Sequence, residues 1–232
     1  MLKIETLNLL KKEDINFKNL FSICIGKNYL YQQRFINYLG KYNRWDVDLT
    51  KGILLLDDKE YNIECIGTTS KNDSYWYSSE IEKVIPDEYV NLMIKTRNKL
   101  EELAMPQYLT DTKIMLDENI NGFNLSMIYI AFAPINVAYF CGSGDTSIYM
   151  FVKDLPNDIF SKLKSTELFS LITTIVSTFD VNHKLMIEAL LTEFEYSFVE
   201  KNNNLIATFS EKSQIEFSFD NDNKFIGLHG DL

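Results

Sequence analysis

Apolar side chains return every three or four residues between Asn16 and Leu39: Phe17, Leu20, Phe21, Cys24, Tyr31, Phe35 and Tyr38 form one stripe. That spacing predicts a helix facing a core. Gly26 costs about 1 kcal/mol relative to alanine inside a helix, which predicts a break near its middle. Gly40 is placed to end it. From Trp45 the period drops to two. Trp45, Val47 and Leu49 fall on one face, Asp46, Asp48 and Thr50 on the other, as in a half-buried strand. Short strands over Ile53–Leu56, Tyr61–Cys65 and Tyr75–Tyr77, separated by Asp57-Asp58-Lys59 and Lys71-Asn72-Asp73, extend this into an antiparallel meander.

Pro86 followed by Asp87 and Glu88 predicts a helix start, with Tyr89, Met93, Leu100 and Leu103 on its apolar face. A short strand is expected at Thr112–Leu116. Asn121 reads as the cap of a buried helix carrying Phe123, Met127, Ile130 and Ala131, stopped by Pro134. Val137–Cys141 and Ser147–Val152 pair across a Gly142-to-Asp145 turn. Helices follow at Glu167–Thr178 and His183–Thr192, then a second meander over Phe194–Phe198, Leu205–Phe209, Ile215–Phe219 and Phe225–Leu228. The fold class is therefore α+β: antiparallel meanders packed with several helices. Pro156 and its polar neighbours suggest a first domain over 1–154 and a smaller helical plus β-meander region over 155–232, unless the two form one continuous domain.

Composition sharpens this picture in three places. The 232 residues carry 33 acidic and 23 basic side chains, a net charge of −10. Such a surface repels phosphate backbones, so no nucleic-acid partner is expected, and it attracts a basic protein partner. Cys24, Cys65 and Cys141 are odd in number, widely spaced and set among apolar residues. That argues for buried reduced thiols and a cytoplasmic protein, not for a disulfide framework or zinc site. No charge occurs from Asn119 to Gly144, but Asn121, Asn124, Pro134 and Asn136 interrupt the stretch. It reads as a buried helix followed by a buried strand, with no membrane partner, and the start of the chain has no signal-peptide pattern. The abundance of Ile, Asn and Lys suggests a bacterial source.

No catalytic signature stands out: no G-x-S-x-G, H-E-x-x-H or P-loop occurs. His183 and His229 are the only histidines available for a couple with Cys141. Asp117-Glu118-Asn119-Ile120-Asn121-Gly122 begins like a calcium loop, yet Ile128 stands where the bidentate Glu belongs; Asp220-Asn221-Asp222-Asn223 fails at Lys224. Both read as turn and cap chemistry, so no metal or cofactor is expected. The most suggestive polar set is Asp46 and Asp48 on one strand face, joined by Glu64. Such carboxylates dock a basic partner, hold a divalent metal or serve as an acid/base pair, or simply solvate an outer sheet face. Of the two tryptophans, Trp45 is in phase with a core face. Trp76, followed by Ser78, Ser79 and Glu80, is the better wall for a pocket.

The segment from about Trp45 to Asp154 resembles a family of uncharacterised bacterial proteins known only as a domain of unknown function. The resemblance lies in Trp45, Asp46 and Asp48, then Gly52-Ile53-Leu54, Gly67-Thr68-Thr69-Ser70 and Tyr75-Trp76-Tyr77. The second aromatic, Tyr77, comes one position earlier than in the family pattern. The resemblance implies a bacterial cytoplasmic α+β module and brings no activity or catalytic residue with it. Three functions stay open: an interaction module with an acidic surface, of antitoxin or immunity type; a carboxylate-based enzyme using Asp46, Asp48 and Glu64, with or without a metal; and a small-molecule sensor with its pocket near Trp76. The first is the leading reading.

Overall fold

The computed structural model describes residues 1–210 and 213–230. Among these are six α-helices and two antiparallel sheets, so the chain is α+β. It divides into two compact units. Tyr31–Phe160, with Met1, make up the first; Leu2–Leu30 and the residues from Ser161 onward make up the second. The N-terminal segment is thus grouped with C-terminal residues, whereas the sequence boundary at 154/155 left it with the first domain. The reason is a helix, α2 (Phe17–Leu39), that contributes its first part to one unit and its last part to the other.

The first unit holds a seven-stranded sheet. Its meander is β1 (Trp45–Asp48), β2 (Ile53–Leu56), β3 (Lys59–Ser70), β4 (Tyr75–Ser78) and β5 (Lys113–Met115), in that order. The hairpin β6 (Ala138–Gly142) and β7 (Thr146–Val152) joins it through β7, which pairs with β3. The sequence shows these as separate hairpins. They merge because β3 runs for twelve residues, long enough to pair with β2, then β4, while β7 lines its other edge. Leu54, Leu56, Ile63, Ala138, Phe140, Met150 and Val152 face one another with Phe35 of α2 in a buried cluster. The path β1-β2-β3-β7-β6 therefore curls, and the Trp45 ring at the start of β1 comes against Gly142 on β6. No ladder joins β1 to β6 among the described residues, so the barrel-like curl keeps an open seam.

Helices α3 (Asn91–Glu102) and α4 (Gly122–Phe132) complete this unit. The α3 helix starts later than Pro86 predicts, because Asp87–Tyr89 forms a separate 3-10 turn. Asn121 caps α4 as its position predicts: its side-chain oxygen accepts from the Asn124 N–H at 3.0 Å. Residues Leu125–Phe132 of α4 are all buried, which is why this uncharged stretch is apolar on every side. No helix among the described residues is long and apolar enough to cross a membrane.

In the second unit, α1 (Ile4–Leu7), the first part of α2, α5 (Ser165–Thr178) and α6 (His183–Glu193) accompany the sheet β11-β10-β9-β8. Its strands are β8 (Ser197–Lys201), β9 (Asn204–Ser210), β10 (Ser213–Phe219) and β11 (Phe225–Gly230). Gly26 does not break α2. A Cβ there would lie 3.1 Å from Leu190 of α6, so the glycine lets two helices approach closely. Glu193, buried at the end of α6, accepts from the Lys3 N–H at 2.8 Å, the Thr6 hydroxyl at 2.6 Å and the Lys27 ammonium. One carboxylate thereby ties α1, α2 and α6 together.

Candidate functional site

The three carboxylates singled out from the sequence do not converge. Asp46 is exposed and accepts from its neighbour's Val47 N–H at 2.8 Å. Asp48 accepts from the Thr50 hydroxyl at 2.6 Å and pairs with Lys51 at 3.0 Å; the Thr50 and Lys51 bonds lower its pKa to about 2. This is turn chemistry at the β1–β2 corner. The strand register carries the Asp46 row through Leu55 to Glu60, and the Asp48 row through Ile53 to Asn62. Glu64 lies one step further along β3, where α3 covers it. There it is buried, pairs with Lys153 at 2.8 Å and accepts from the Leu92 N–H at 2.6 Å. It serves as an N-terminal cap for α3, supplied by a strand rather than by the helix's own first residues. The two loops with calcium-like spacing are also turns. Asp117 accepts from the Asn119 and Ile120 N–H groups, and Asp220 from those of Asp222 and Lys224.

The tryptophans exchange the roles that the alternation pattern suggests. Trp76 is 0% exposed and Trp45 is 37% exposed. The Trp76 ring packs 4.9 Å from Tyr149 and 6.0 Å from Tyr129, and Tyr149 leads on to Tyr139 and Phe123. Its indole N–H has no acceptor among the described residues. Glycines make room for these rings. A Cβ on Gly67 would fall 2.5 Å from both the Trp76 ring and the Tyr77 carbonyl oxygen. Gly122 is covered in the same way by Tyr149, Gly142 by Trp45, and Gly52 by Tyr89. Of the family-like pattern, Gly67 and Trp76 are thus two halves of one packing contact, while Gly52 meets Tyr89 and Trp45 meets Gly142.

What the structure adds is a cleft at the open seam. It has a volume of about 300 Å³ and lies between the end of α2 and the edge of β6. Phe35, Ile36 and Leu39 line one side, Tyr139, Phe140 and Cys141 the other, and Tyr42 stands at the rim. Gln32 sets the spacing. Its amide donates to the Tyr139 carbonyl at 2.9 Å and accepts from the Tyr139 N–H at 3.0 Å, as a neighbouring strand would. Asp57 fixes the rim by accepting from the Asn43 and Arg44 N–H groups. Large apolar side chains in and beside the cleft stay exposed: Ile36 at 55% and Tyr42 at 41% line it, and Trp45 packs 6.3 Å from Phe140. Burial raises the Cys141 thiol pKa, partly offset by a bond from Tyr139, so the thiol stays protonated at neutral pH. The cleft has the size and apolar lining to admit an apolar group.

Sequence reasoning missed this cleft because it forms between elements far apart in the chain; Gln32 and Tyr139 are separated by 107 positions. One signal was present: Ile36 stands beside the helix stripe of Phe35 and Tyr38, an apolar residue off the predicted core face. Among the described residues no three His, Cys, Asp or Glu side chains gather as a metal would require.

No curated protein and no solved structure matches the chain. Residues 18–155 match a family model described as a family of unknown function (DUF6882). The match begins earlier than the Trp45 start of the resemblance and takes in most of α2. The chain belongs to that family.

Proposed function

We propose that this member of a family of unknown function is a protein-binding module of the bacterial cytoplasm, and that its seam cleft takes an apolar anchor from a basic partner segment. The observation that carries the reading is the cleft with exposed Ile36 and Tyr42 in its lining and exposed Trp45 packed beside it on Phe140. Contiguous exposed apolar surface beside a preformed recess is the mark of an interaction site. Charge supplies the partner's chemistry. Residues 31–160 carry 19 acidic and 12 basic side chains, a net −7 of the chain's −10. Asp46, Asp58 and Glu60 lie exposed along β1, β3 and their turn, in the same short meander as Trp45. Such a field speeds encounter with a cationic segment and orients it. The free thiols of Cys24, Cys65 and Cys141 fit a reducing compartment.

Trp45 is the more exposed of only two tryptophans and packs 6.3 Å from Phe140 in the cleft lining, so its emission reports on the cleft. Titration with a lysine-rich amphipathic peptide bearing a Phe anchor should shift its emission saturably, and added salt should weaken the effect. A glutamate copy of the peptide should leave the emission unchanged. A flat response to the basic peptide, or an equal response to both, would overturn the proposal.

A further inference from the structure

The second unit carries a different recess, unrelated to the apolar cleft. Two cavities, of about 250 and 310 Å³, share a wall made by Asn19, Asn182 and Asn223. Their far ends differ in charge. At one end lie Lys18, His183 and Lys224, with Asp180 and Asp222. Lys18 is held by Asp180 at 2.6 Å, while the Lys224 ammonium has no acceptor among the described residues. His183 accepts the Phe225 N–H on Nδ1 at 3.0 Å, which leaves its proton on Nε2 as a donor. Burial, then Lys18 and Lys224, lowers the His183 pKa, so the ring stays neutral. At the other end lie Asp14, Glu188 and Glu200. Lys184 is occupied there by Glu200 at 2.7 Å and Asn203 at 2.9 Å. The Glu188 carboxylate makes no hydrogen bond or ion pair among the described residues; burial raises its pKa, with the nearby Lys184 acting against that rise.

We propose that this double recess binds a zwitterion whose two charges are several bonds apart, an ω-amino acid or a short peptide. Its ammonium sits against Glu188 and Asp14. Its carboxylate sits against Lys224 and the Nε2–H of His183. Asn182 Oδ1 already caps α6 and Asn19 Nδ2 already binds the Asp14 carbonyl, which leaves Asn182 Nδ2, Asn19 Oδ1 and the Asn223 amide for the polar middle of a peptide. A ligand with one charge answers only one end; Asp180 and Asp222 make the first end neutral overall, so its hold on a carboxylate comes from the Lys224 ammonium and the Nε2–H of His183.

Isothermal calorimetry on the full chain tests this with 6-aminohexanoate and trialanine, against hexylamine and hexanoate. We expect saturable binding of at least one zwitterion in the millimolar range or tighter. Either single-charge analogue should bind about tenfold or more weakly. Glu188→Gln and Lys224→Met should each weaken the zwitterion by a similar factor with thermal unfolding unchanged. No saturable heat from either zwitterion, analogues that bind as well, or folded variants with wild-type affinity would overturn the proposal. Should the variants unfold, the comparison of ligands on the wild-type chain decides alone.

Discussion

Glu193 shows how one residue sets the stability of the second unit. Its carboxylate is buried and takes bonds from Lys3, Thr6 and Lys27. Glu193→Gln leaves the Lys27 ammonium half-compensated in a poorly solvated place and should cost about 3–5 kcal/mol, read from the urea midpoint. The pH dependence follows from the direction of the shift. Burial alone would raise the Glu193 pKa, but Lys27, Thr6 and the Lys3 N–H together hold it below the ordinary value. A depressed carboxylate contributes stability that is present above its unfolded pKa and is lost as pH falls through the folded value. Below pH ~4.5 the stability of wild type should therefore fall more steeply with acid than that of Glu193→Gln, narrowing the gap between them. The glycine–aromatic contacts make a sharper contrast. Gly67→Ala drives a methyl into the Trp76 ring and the Tyr77 carbonyl, neither able to retreat, and should cost about 3 kcal/mol. The three atoms nearest a Cβ at Gly142 all belong to the Trp45 ring, which is partly exposed and can swing out. Gly142→Ala should cost less and red-shift tryptophan emission.

At the scale of elements, most of the secondary structure was legible because it follows local rules. The period-two runs at Trp45 and Ile215 became β1 and β10, and Asn121 with Pro134 bracket α4. The failures have tertiary causes. Gly26 stays helical because α6 packs on it, and Glu64 turned from a surface acid into a helix cap once α3 lay over β3. The Trp45 and Trp76 exposures reversed because alternation tells which side of a strand a residue takes, and not what covers that side. Gln32 is the element-level link on which the cleft depends. Gln32→Ala strands the N–H and C=O of Tyr139 at a sheet edge and should cost about 2 kcal/mol. Hydrogen exchange at the Tyr139 amide should speed up more than exchange at Phe140, whose strand pairing to β7 remains.

At the scale of the molecule, the acidic charge expected to attract a partner and the apolar cleft that the sequence concealed belong to the same unit. The carboxylates at Asp46, Asp48 and Glu64 carry turns, a helix cap and surface charge; the recess that can hold an anchor lies between the end of α2 and β6. This relocates the binding reading from an acidic strand face to an apolar cleft with acidic surroundings. The most direct measurement is hydrogen exchange of the full chain with and without a saturating basic, Phe-anchored peptide. Protection should rise over residues 36–45 and 138–142, and Ile36→Asp, a change at an exposed position, should abolish that protection while leaving the fold intact. Protection confined to other segments, or the same protection in Ile36→Asp, would contradict the account.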